Sequence, residues 1–172
     1  MCIRDRISVY KPKLKWVNID SLAPNALMKQ LYMSLNYDLV KAEYTYGDSR
    51  IDFYMEKNGE KFLTEVKGCT LADDLHPGIG LFPDAPTERG VKHLHELTKA
   101  AKEGCHTAIA FVIQMNGIHR VLPNEAAQPE FKKALVEAAK AGVQIVCYSC
   151  HVEADRVKIT GVTEDTSSFV NM

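Results

Sequence analysis

The spacing of hydrophobic residues changes several times along the chain, and each change predicts a different element of secondary structure. Three segments carry apolar residues every three or four positions, as helices do when they bury one face: 24–35, 87–103 and 129–141. Six segments either alternate apolar with polar residues or are continuously apolar, as strands are: 39–46, 49–57, 61–68, 107–115, 143–148 and 156–162. The intervening segments 70–86 and 116–128 are predicted loops. This order predicts an α/β fold of the α+β kind, in which helices pack on a mixed sheet.

Two turn signals determine how the first three strands pair. An Asn-Gly pair at 58–59 is the strongest short hairpin signal, and the Gly-Asp pair at 47–48 is also typical of a two-residue turn. If both turns have two residues, Asp52 lies directly opposite Glu65 on one neighbouring strand and opposite Glu43 on the other. A bulge at either turn would shift every pair by one residue. The sequence therefore predicts a row of three carboxylates on one face of the sheet.

Such a row needs something to offset its repulsion, since two carboxylates about 5 Å apart repel by about 3 kcal/mol at an effective dielectric of about 20. A divalent cation that prefers oxygen ligands, Mg²⁺ or Mn²⁺, would do so. A shared proton would also do so, and so would Lys67 or Arg50, which the same register places opposite each other on that face. A metal ion beside an ammonium group is suited to phosphodiester hydrolysis. The alternative is an exposed face with ordinary cross-strand ion pairs, such as Glu56 opposite Lys61.

The acidic residues also carry a family resemblance. Asp52, followed after twelve residues by Glu65-Val66-Lys67, resembles the D…ExK signature of the PD-(D/E)xK nuclease superfamily, and the order of predicted elements is similar to the core of that superfamily. Three longer segments narrow the likeness: GDSRIDF at 47–53, EVKGCTL at 65–71 and LFPDAPTERGVKHL at 81–94. Together they resemble the sugar fermentation stimulation protein family, whose members are described as DNA-binding. The resemblance extends over residues 15–162.

The resemblance implies a role for each acidic residue and for the lysine. Asp52 and Glu65 would be metal ligands and catalytic residues, and Lys67 would be the catalytic lysine. Glu43 would be an additional acidic ligand, and the backbone carbonyl of Val66 is a further candidate ligand. The expected cofactor is therefore Mg²⁺ or Mn²⁺, and the expected partner is DNA.

A phosphate-binding surface is expected beside the acids. Arg89 and His93 are four residues apart and share one face of the predicted helix 87–103, whose first turn offers free N–H groups to an anion. With Arg50 they are expected to contact phosphate, and Thr87 borders the cleft in the family pattern. The alternative is a solvated helix face.

The first twenty residues, 1–20, show no clear period and are predicted to form an irregular arm, followed by a nuclease-like domain at 21–172. The family has a small OB-like domain before this region, so the arm is a candidate remnant of that domain. Lys15, with Lys11, Lys13 and Trp16, is either a nucleic-acid contact with one stacking ring or part of an edge strand with outward lysines.

Composition limits the classes of protein to consider. With 21 Lys and Arg against 22 Asp and Glu, the net charge of −1 argues against coating nucleic acid by bulk charge, although a local basic patch remains compatible with it. No apolar run approaches the ~20 residues of a membrane span, and the N-terminus has no apolar leader, so we expect a cytoplasmic protein without a membrane partner. The five cysteines are expected to be free thiols, and the Cys-x-x-Cys-His run at 147–151 is not expected to hold haem or zinc.

Three functions follow from these features. The leading hypothesis is a DNA-binding protein with a divalent-metal, nuclease-like site, a candidate Mg²⁺-dependent deoxyribonuclease that acts as a monomer or as a homodimer. The second is a DNA-binding regulator of sugar metabolism genes that keeps the shape of the site without turnover. The third is a structural or interaction domain whose carboxylates pair with neighbouring cations.

Overall fold

The secondary structure follows the predicted order and adds short strands to it in the computed structural model, which describes residues 2–4 and 8–171. The strands of this part of the chain are β1 (Cys2–Arg4), β2 (Ser8–Lys11), β3 (Lys15–Asn18), β4 (Leu39–Tyr46), β5 (Ser49–Lys57), β6 (Glu60–Cys69), β7 (Leu71–Ala72), β8 (Ile79–Phe82), β9 (His106–Ile113), β10 (Arg120–Pro123), β11 (Gln144–Val152) and β12 (Arg156–Glu164). The helices are α1 (Ala23–Ser34), α2 (Glu88–Lys102), α3 (Pro129–Lys140) and α4 (Thr166–Val170).

A seven-stranded mixed sheet organises these elements. Its strand order is β1-β12-β11-β9-β6-β5-β4, with β9 parallel to both β6 and β11 and the remaining neighbours antiparallel. A three-stranded sheet, β10-β8-β7, and the two-stranded hairpin β2-β3 lie outside it. The predicted mixed α/β architecture is therefore confirmed.

Helices cover both faces of the large sheet. The apolar face of α1 packs through Leu27 and Met28 against one side, together with Val112 of β9. The long helices α2 and α3 pack against the other side, where Phe111 of β9 is buried. Because successive residues of β9 enter opposite core layers, the continuous apolar run at 107–115 is buried on both faces, as its composition predicts.

The structure differs from the sequence prediction mainly in the segments whose hydrophobic residues show no regular spacing. The predicted loops contain the short strands β7, β8 and β10, and the predicted irregular arm contains the hairpin β2-β3. Short strands with little alternation give no periodic signal, which is why the sequence does not reveal them. Residues 1 and 5–7 of the predicted arm lie outside the described residues, and the division into 1–20 and 21–172 stays a prediction. No helix of the described residues has both the length and the hydrophobicity required to cross a membrane.

Both predicted hairpins have the register that their turns imply. Strands β5 and β6 pair from Lys57↔Glu60 to Phe53↔Thr64, and β4 and β5 pair from Tyr46↔Ser49 to Leu39↔Glu56. The two-residue turn signals therefore predict the alignment of all three strands correctly.

A close contact brings the start of α1 against β6. Gly68 of β6 lies so near its neighbours that an added Cβ atom would be 2.3 Å from Oε1 of Gln114 and 2.9 Å from Cγ of Pro24. Gln114 is buried, and its Nε2 donates to Oδ1 of Asn18 (2.7 Å) and to the backbone carbonyl of Asp20 (3.0 Å). A residue without a side chain at 68 therefore allows the segment before α1 to lie directly on the sheet.

We predict that Gly68→Ala lowers the free energy of unfolding by about 1–3 kcal/mol, because the new methyl group forces Gln114 away from its buried partners. Gly161→Ala is the matched control, since the nearest heavy atom to its added Cβ is Cβ of Ser149 at 3.9 Å. Urea unfolding of both variants measures the difference. Equal stabilities of the two variants would contradict the close packing described at Gly68.

Candidate functional site

The site begins where the pairing of strand β5 with its neighbours is interrupted. The pairs Ala42↔Phe53 and Tyr44↔Ile51 belong to one continuous register, but the intervening pair of Glu43 with Asp52 is missing from the ladder. Glu43 adopts a left-handed backbone conformation with φ of 56°, which is uncommon for a residue with a side chain. On the other side, pairing of β5 with β6 ends at Phe53↔Thr64, one step before Asp52 would meet Glu65. Asp52 therefore lies where the sheet opens on both sides of β5.

The carboxylate of Asp52 replaces part of the missing ladder. Its Oδ2 accepts a hydrogen bond from the backbone N–H of Val66 at 2.8 Å, and its Oδ1 accepts one from Nδ2 of Asn25 at 2.9 Å. Asn25 belongs to the first turn of α1. One side chain thus connects β5, β6 and α1, which fixes the orientation of the carboxylate.

Burial and a second negative charge raise the pKa of Asp52. Loss of solvent is the larger cause and the charge of Glu65 is the next; the Val66 N–H group, Asn25 and the Lys67 ammonium act in the opposite direction. The charge of Glu65 therefore disfavours ionisation of Asp52. Their repulsion is only partly offset by the surrounding donors.

Glu65 is the most deeply buried acid of the site, with 1% of its surface exposed. Its Oε1 accepts hydrogen bonds from Nζ of Lys67 at 2.6 Å and from Nδ1 of His93. Burial alone would raise the pKa of Glu65, but the hydrogen bond from His93 and the charge and hydrogen bond of Lys67 outweigh it and hold that pKa below its ordinary value. Glu65 is therefore ionised at neutral pH.

The second oxygen of Glu65 has no comparable support. Oε2 is buried and has no hydrogen-bond partner within the described residues. A buried, ionised carboxylate oxygen without a donor or cation costs about 1–3 kcal/mol or more. This oxygen is therefore the candidate position of the site for a bound cation or hydrogen-bond donor.

Lys67 has the position that the strand alternation predicts. It lies two residues from Glu65 on the same face of β6, and its ammonium group contacts the Glu65 carboxylate. The Lys67 side chain is 16% exposed, so the ammonium lies between the buried acid and the solvent. A cation held in this way can both steady Glu65 and reach a bound molecule.

The third member of the predicted row, Glu43, departs from the regular ladder, and its role as a ligand stays a prediction. Glu43 is about two-thirds exposed and forms an ion pair with Arg50. The reason for the departure is the left-handed backbone at Glu43, which ends the regular alternation of side chains on which the prediction depends. Among the described residues, no group of three or more His, Cys, Asp or Glu side chains is arranged to hold a metal ion.

Arg50 also differs from its predicted place. Since pairing between β5 and β6 stops before it, Arg50 lies opposite Thr45 of β4 and not opposite Lys67. It lines a cleft of about 500 Å³ with Arg89, Lys92 and His93. The cation cluster that the sequence predicts is therefore assembled from β5 and α2, and Lys92 is a member that sequence reasoning missed.

His93 and Arg89 share one face of α2, as their spacing predicts. Nε of Arg89 donates to Nε2 of His93 at 3.4 Å, and this contact places the proton of the ring on Nδ1, which faces Glu65. His93 is only 3% exposed, whereas Arg89 is exposed. In this structure His93 positions Glu65, and only Arg89 of the two is open to a phosphate.

Thr87 acts at the start of α2. Its Oγ1 accepts a hydrogen bond from the backbone N–H of Gly90 at 3.0 Å, which makes it the N-cap of the helix. Lys15 lies elsewhere, in β3 of the hairpin, and is exposed. The structure thus brings Asp52, Glu65, Lys67 and Val66 together, with Arg50, Arg89 and His93 beside them, and leaves Lys15 on another surface.

Asn25 is a second residue of the site that the sequence analysis does not select. It follows Pro24 in an ordinary helix start, and nothing in the helical pattern marks it. Its contact with Asp52 joins residues that are 27 positions apart, which only the packing of α1 against the sheet determines.

Comparison with known proteins identifies relatives of this chain. Residues 19–156 match the family model described as "Sugar fermentation stimulation protein RE domain". A sugar fermentation stimulation protein homolog from Desulfitobacterium hafniense is 42% identical over 159 residues, which cover 90% of this chain and 67% of that protein. A homolog of the same name from Ruminiclostridium cellulolyticum is 43% identical over 159 residues, covering 90% and 69%. The chain therefore spans about two thirds of the length of these relatives.

A solved structure shares the fold. SfsA from Pyrococcus furiosus, in complex with Ca²⁺, matches with a TM-score of 0.78, and the alignment covers 91% of this chain and 69% of the other. The two sequences are 24% identical over this match, so the likeness concerns the arrangement of the elements.

We predict that His93→Ala lowers the free energy of unfolding at neutral pH by about 1–3 kcal/mol, because Glu65 loses a donor in a buried site. The pKa of Glu65 is depressed, so its contribution to stability is present above the ordinary value of 4.5 and is lost as the pH falls through the lower folded pKa. The difference between wild type and His93→Ala should therefore shrink in acid. Urea unfolding as a function of pH measures it.

His95→Ala is the control for this prediction, since His95 is exposed two residues further along the same helix. A loss of stability that is equal in the two variants, or that does not change with pH, would contradict the role of His93 as the donor to Glu65.

Proposed function

The chain belongs to the sugar fermentation stimulation protein family, as its three sequence segments predict, and we propose that it is a DNA-binding protein with a divalent-metal, nuclease-like site at Asp52, Glu65 and Lys67. The observation that carries this proposal is Oε2 of Glu65, a buried carboxylate oxygen without a partner in the described residues. A structural ion pair would use both oxygens of a buried acid. An oxygen left open beside a second acid is suited to a cation.

The side chains present fit a hard divalent ion. Asp52 and Glu65 supply carboxylate oxygens from adjacent strands, and the backbone carbonyl of Val66 lies between Glu65 and Lys67 along β6. Oxygen ligands of this kind are preferred by Mg²⁺ and Mn²⁺ and also by Ca²⁺. The relative from Pyrococcus furiosus is described as a Ca²⁺ complex, which supports a divalent-cation site in this fold.

Each residue around the acids has a task in this proposal. When bound, Mg²⁺ or Mn²⁺ would supply neutralisation of phosphate charge and a water of lowered pKa. Asn25 and the Val66 N–H group hold Asp52, and His93 holds Glu65. Lys67, whose ammonium contacts Glu65 and whose side chain is 16% exposed, would orient the attacking water or stabilise the charge that develops on the phosphate.

The cleft beside the acids would hold the nucleic-acid backbone. Arg50, Arg89 and Lys92 line it, and they supply cations from a strand and a helix that meet there. Phosphate groups are bound most strongly by such clusters of Arg and Lys. The order of elements around Asp52 and Glu65-Val66-Lys67 supports the further proposal that the fold is that of a PD-(D/E)xK nuclease.

We predict that the protein nicks supercoiled plasmid in the presence of Mg²⁺ or Mn²⁺ but not with EDTA, and that Lys67→Ala slows nicking about 100-fold or more. Lys61→Ala is the matched control, because Lys61 is an exposed lysine of the same strand. A melting curve of Lys67→Ala verifies its fold. Nicking by Lys67→Ala at the wild-type rate would exclude Lys67 from the reaction.

We predict that Mn²⁺ raises the melting temperature of the wild type but not of Glu65→Gln, since binding to the folded state stabilises it. Because the ligands must be ionised and the pKa of Asp52 is raised, the affinity should weaken as the pH falls into the acid range. Glu60→Gln, an exposed acid of the same strand, is the control. If isothermal titration detects no Mn²⁺ binding to the wild type, the metal site is excluded.

A second candidate function is a DNA-binding regulator that binds without cleaving, in keeping with the family name. The observation that favours it is the outward position of Glu43, whose ion pair with Arg50 leaves two acidic side chains at the site. Two carboxylates bind a divalent ion less tightly than three do. A salt-dependent gel shift without cleavage under either metal would support this alternative over the nuclease.

A further inference from the structure

The hairpin β2-β3 presents an aromatic pair that the nuclease-like site does not use. Tyr10 and Trp16 lie directly opposite each other in the register of the hairpin, with ring centroids 5.4 Å apart and an interplanar angle of 77°. Tyr10 is 61% exposed, whereas Trp16 is half-buried and packs against the core beneath α1. The Trp16 ring is thus held in place by the core, and Tyr10 is a large aromatic side chain open to solvent.

Lysines surround these rings. Lys11 and Lys15 form the next pair along the hairpin, and neither has an ion-pair partner in the described part of the chain. Two like charges directly opposite each other on a hairpin destabilise it. Lys13, at the tip, reaches Asp74 at 3.2 Å but stays 82% exposed. Among the described residues, the hairpin therefore carries more positive charge than neighbouring acids offset, although the net charge of the whole chain is −1.

An open groove continues from the rings. It has a volume of about 760 Å³ and is lined on the hairpin side by Lys13, Lys15 and Trp16. His151 and Glu153, at the end of β11, line the opposite side, and Glu153 is already paired with Arg156 at 2.8 Å. The groove thus offers a flat ring together with Lys15, which has no ion-pair partner in the described part of the chain.

From these features we propose that the hairpin β2-β3 and this groove bind single-stranded nucleic acid, with bases stacked on Trp16 and Tyr10 and phosphates held by Lys11 and Lys15. Aromatic rings beside a basic groove are the recurring elements of single-strand recognition, because every unpaired base has a face that can stack. In a duplex those faces are occupied by neighbouring bases, so a duplex would use only the lysines.

A short segment of chain, from Asn18 to Asn25, connects the hairpin to a donor of the acidic site. The backbone N–H of Asn18, at the end of β3, donates to the carbonyl of Gln114, and seven residues later Asn25 holds Asp52. The choice of nucleic acid as the ligand rests on the proposed function, but none of the residues of the hairpin belongs to the acidic site.

The chain offers a direct probe, because Trp16 is its only tryptophan. We expect single-stranded oligo(dT), added in EDTA so that no cleavage occurs, to quench the fluorescence of Trp16. The affinity should fall about tenfold or more between 50 and 200 mM salt, since phosphate contacts release counterions. The same oligonucleotide annealed to oligo(dA) should quench weakly.

Substitutions distinguish the contribution of the aromatic rings to binding from that of the lysine charges. Lys11→Gln and Lys15→Asn should each weaken binding several-fold, and asparagine tolerates the left-handed backbone of Lys15 (φ 61°). Tyr10→Leu removes a stacking face but keeps an apolar side chain. Lys140→Gln, an exposed lysine at the end of α3, is the control and should bind as the wild type does.

The outcome distinguishes this inference from the proposed function. Quenching that persists in Glu65→Gln, with or without plasmid nicking by the wild type, supports a hairpin site of its own. Nicking without any change in Trp16 fluorescence would overturn the inference and leave the nuclease proposal intact. Equal quenching by duplex and single strand, or equal losses in Lys11→Gln and Lys140→Gln, would also overturn it.

Discussion

The buried carboxylate of Glu65 is the constraint on which the rest of the site depends. Removing an acid from water requires charges and donors to hold it, and Lys67 and His93 fill that role at one oxygen only. These two partners explain the arrangement around them: α2 must approach β6 for His93 to reach Glu65, and Lys67 must fold back along its own strand. The second oxygen has no hydrogen-bond partner among the described residues, so the packing around Glu65 satisfies only half of the carboxylate.

The pairing of β5 with its neighbours is interrupted at the second acid of the site. A regular three-stranded meander would place Asp52 in two ladders, where its carboxylate would simply face its neighbours. In the structure the ladder is broken at Asp52, Glu43 takes a left-handed conformation, and the freed N–H of Val66 binds the Asp52 carboxylate. Strain and lost backbone pairing at one position are typical of functional sites, because the surrounding sheet can support them.

The segment before α1 connects two parts of the molecule that the sequence presents as unrelated. Asn18 binds Gln114 at the end of β9, Gly68 lets that segment rest on β6, and Asn25 then reaches Asp52. The basic hairpin is therefore joined to Asn25, a donor to the acidic site, by one continuous stretch of chain.

The sequence alone determined the features that repeat at short range. Two-residue turns set the register of β4, β5 and β6, and strict alternation put Lys67 on the same side as Glu65, because local backbone geometry allows few alternatives. Tertiary structure decided everything that breaks a period or joins distant residues. The contact of Asn25 with Asp52 and the burial of His93 against Glu65 depend on helices packing across 27 and 28 positions of sequence, whereas the left-handed backbone at Glu43 breaks the strand period. No local pattern encodes such contacts, since they arise only when the layers close on each other.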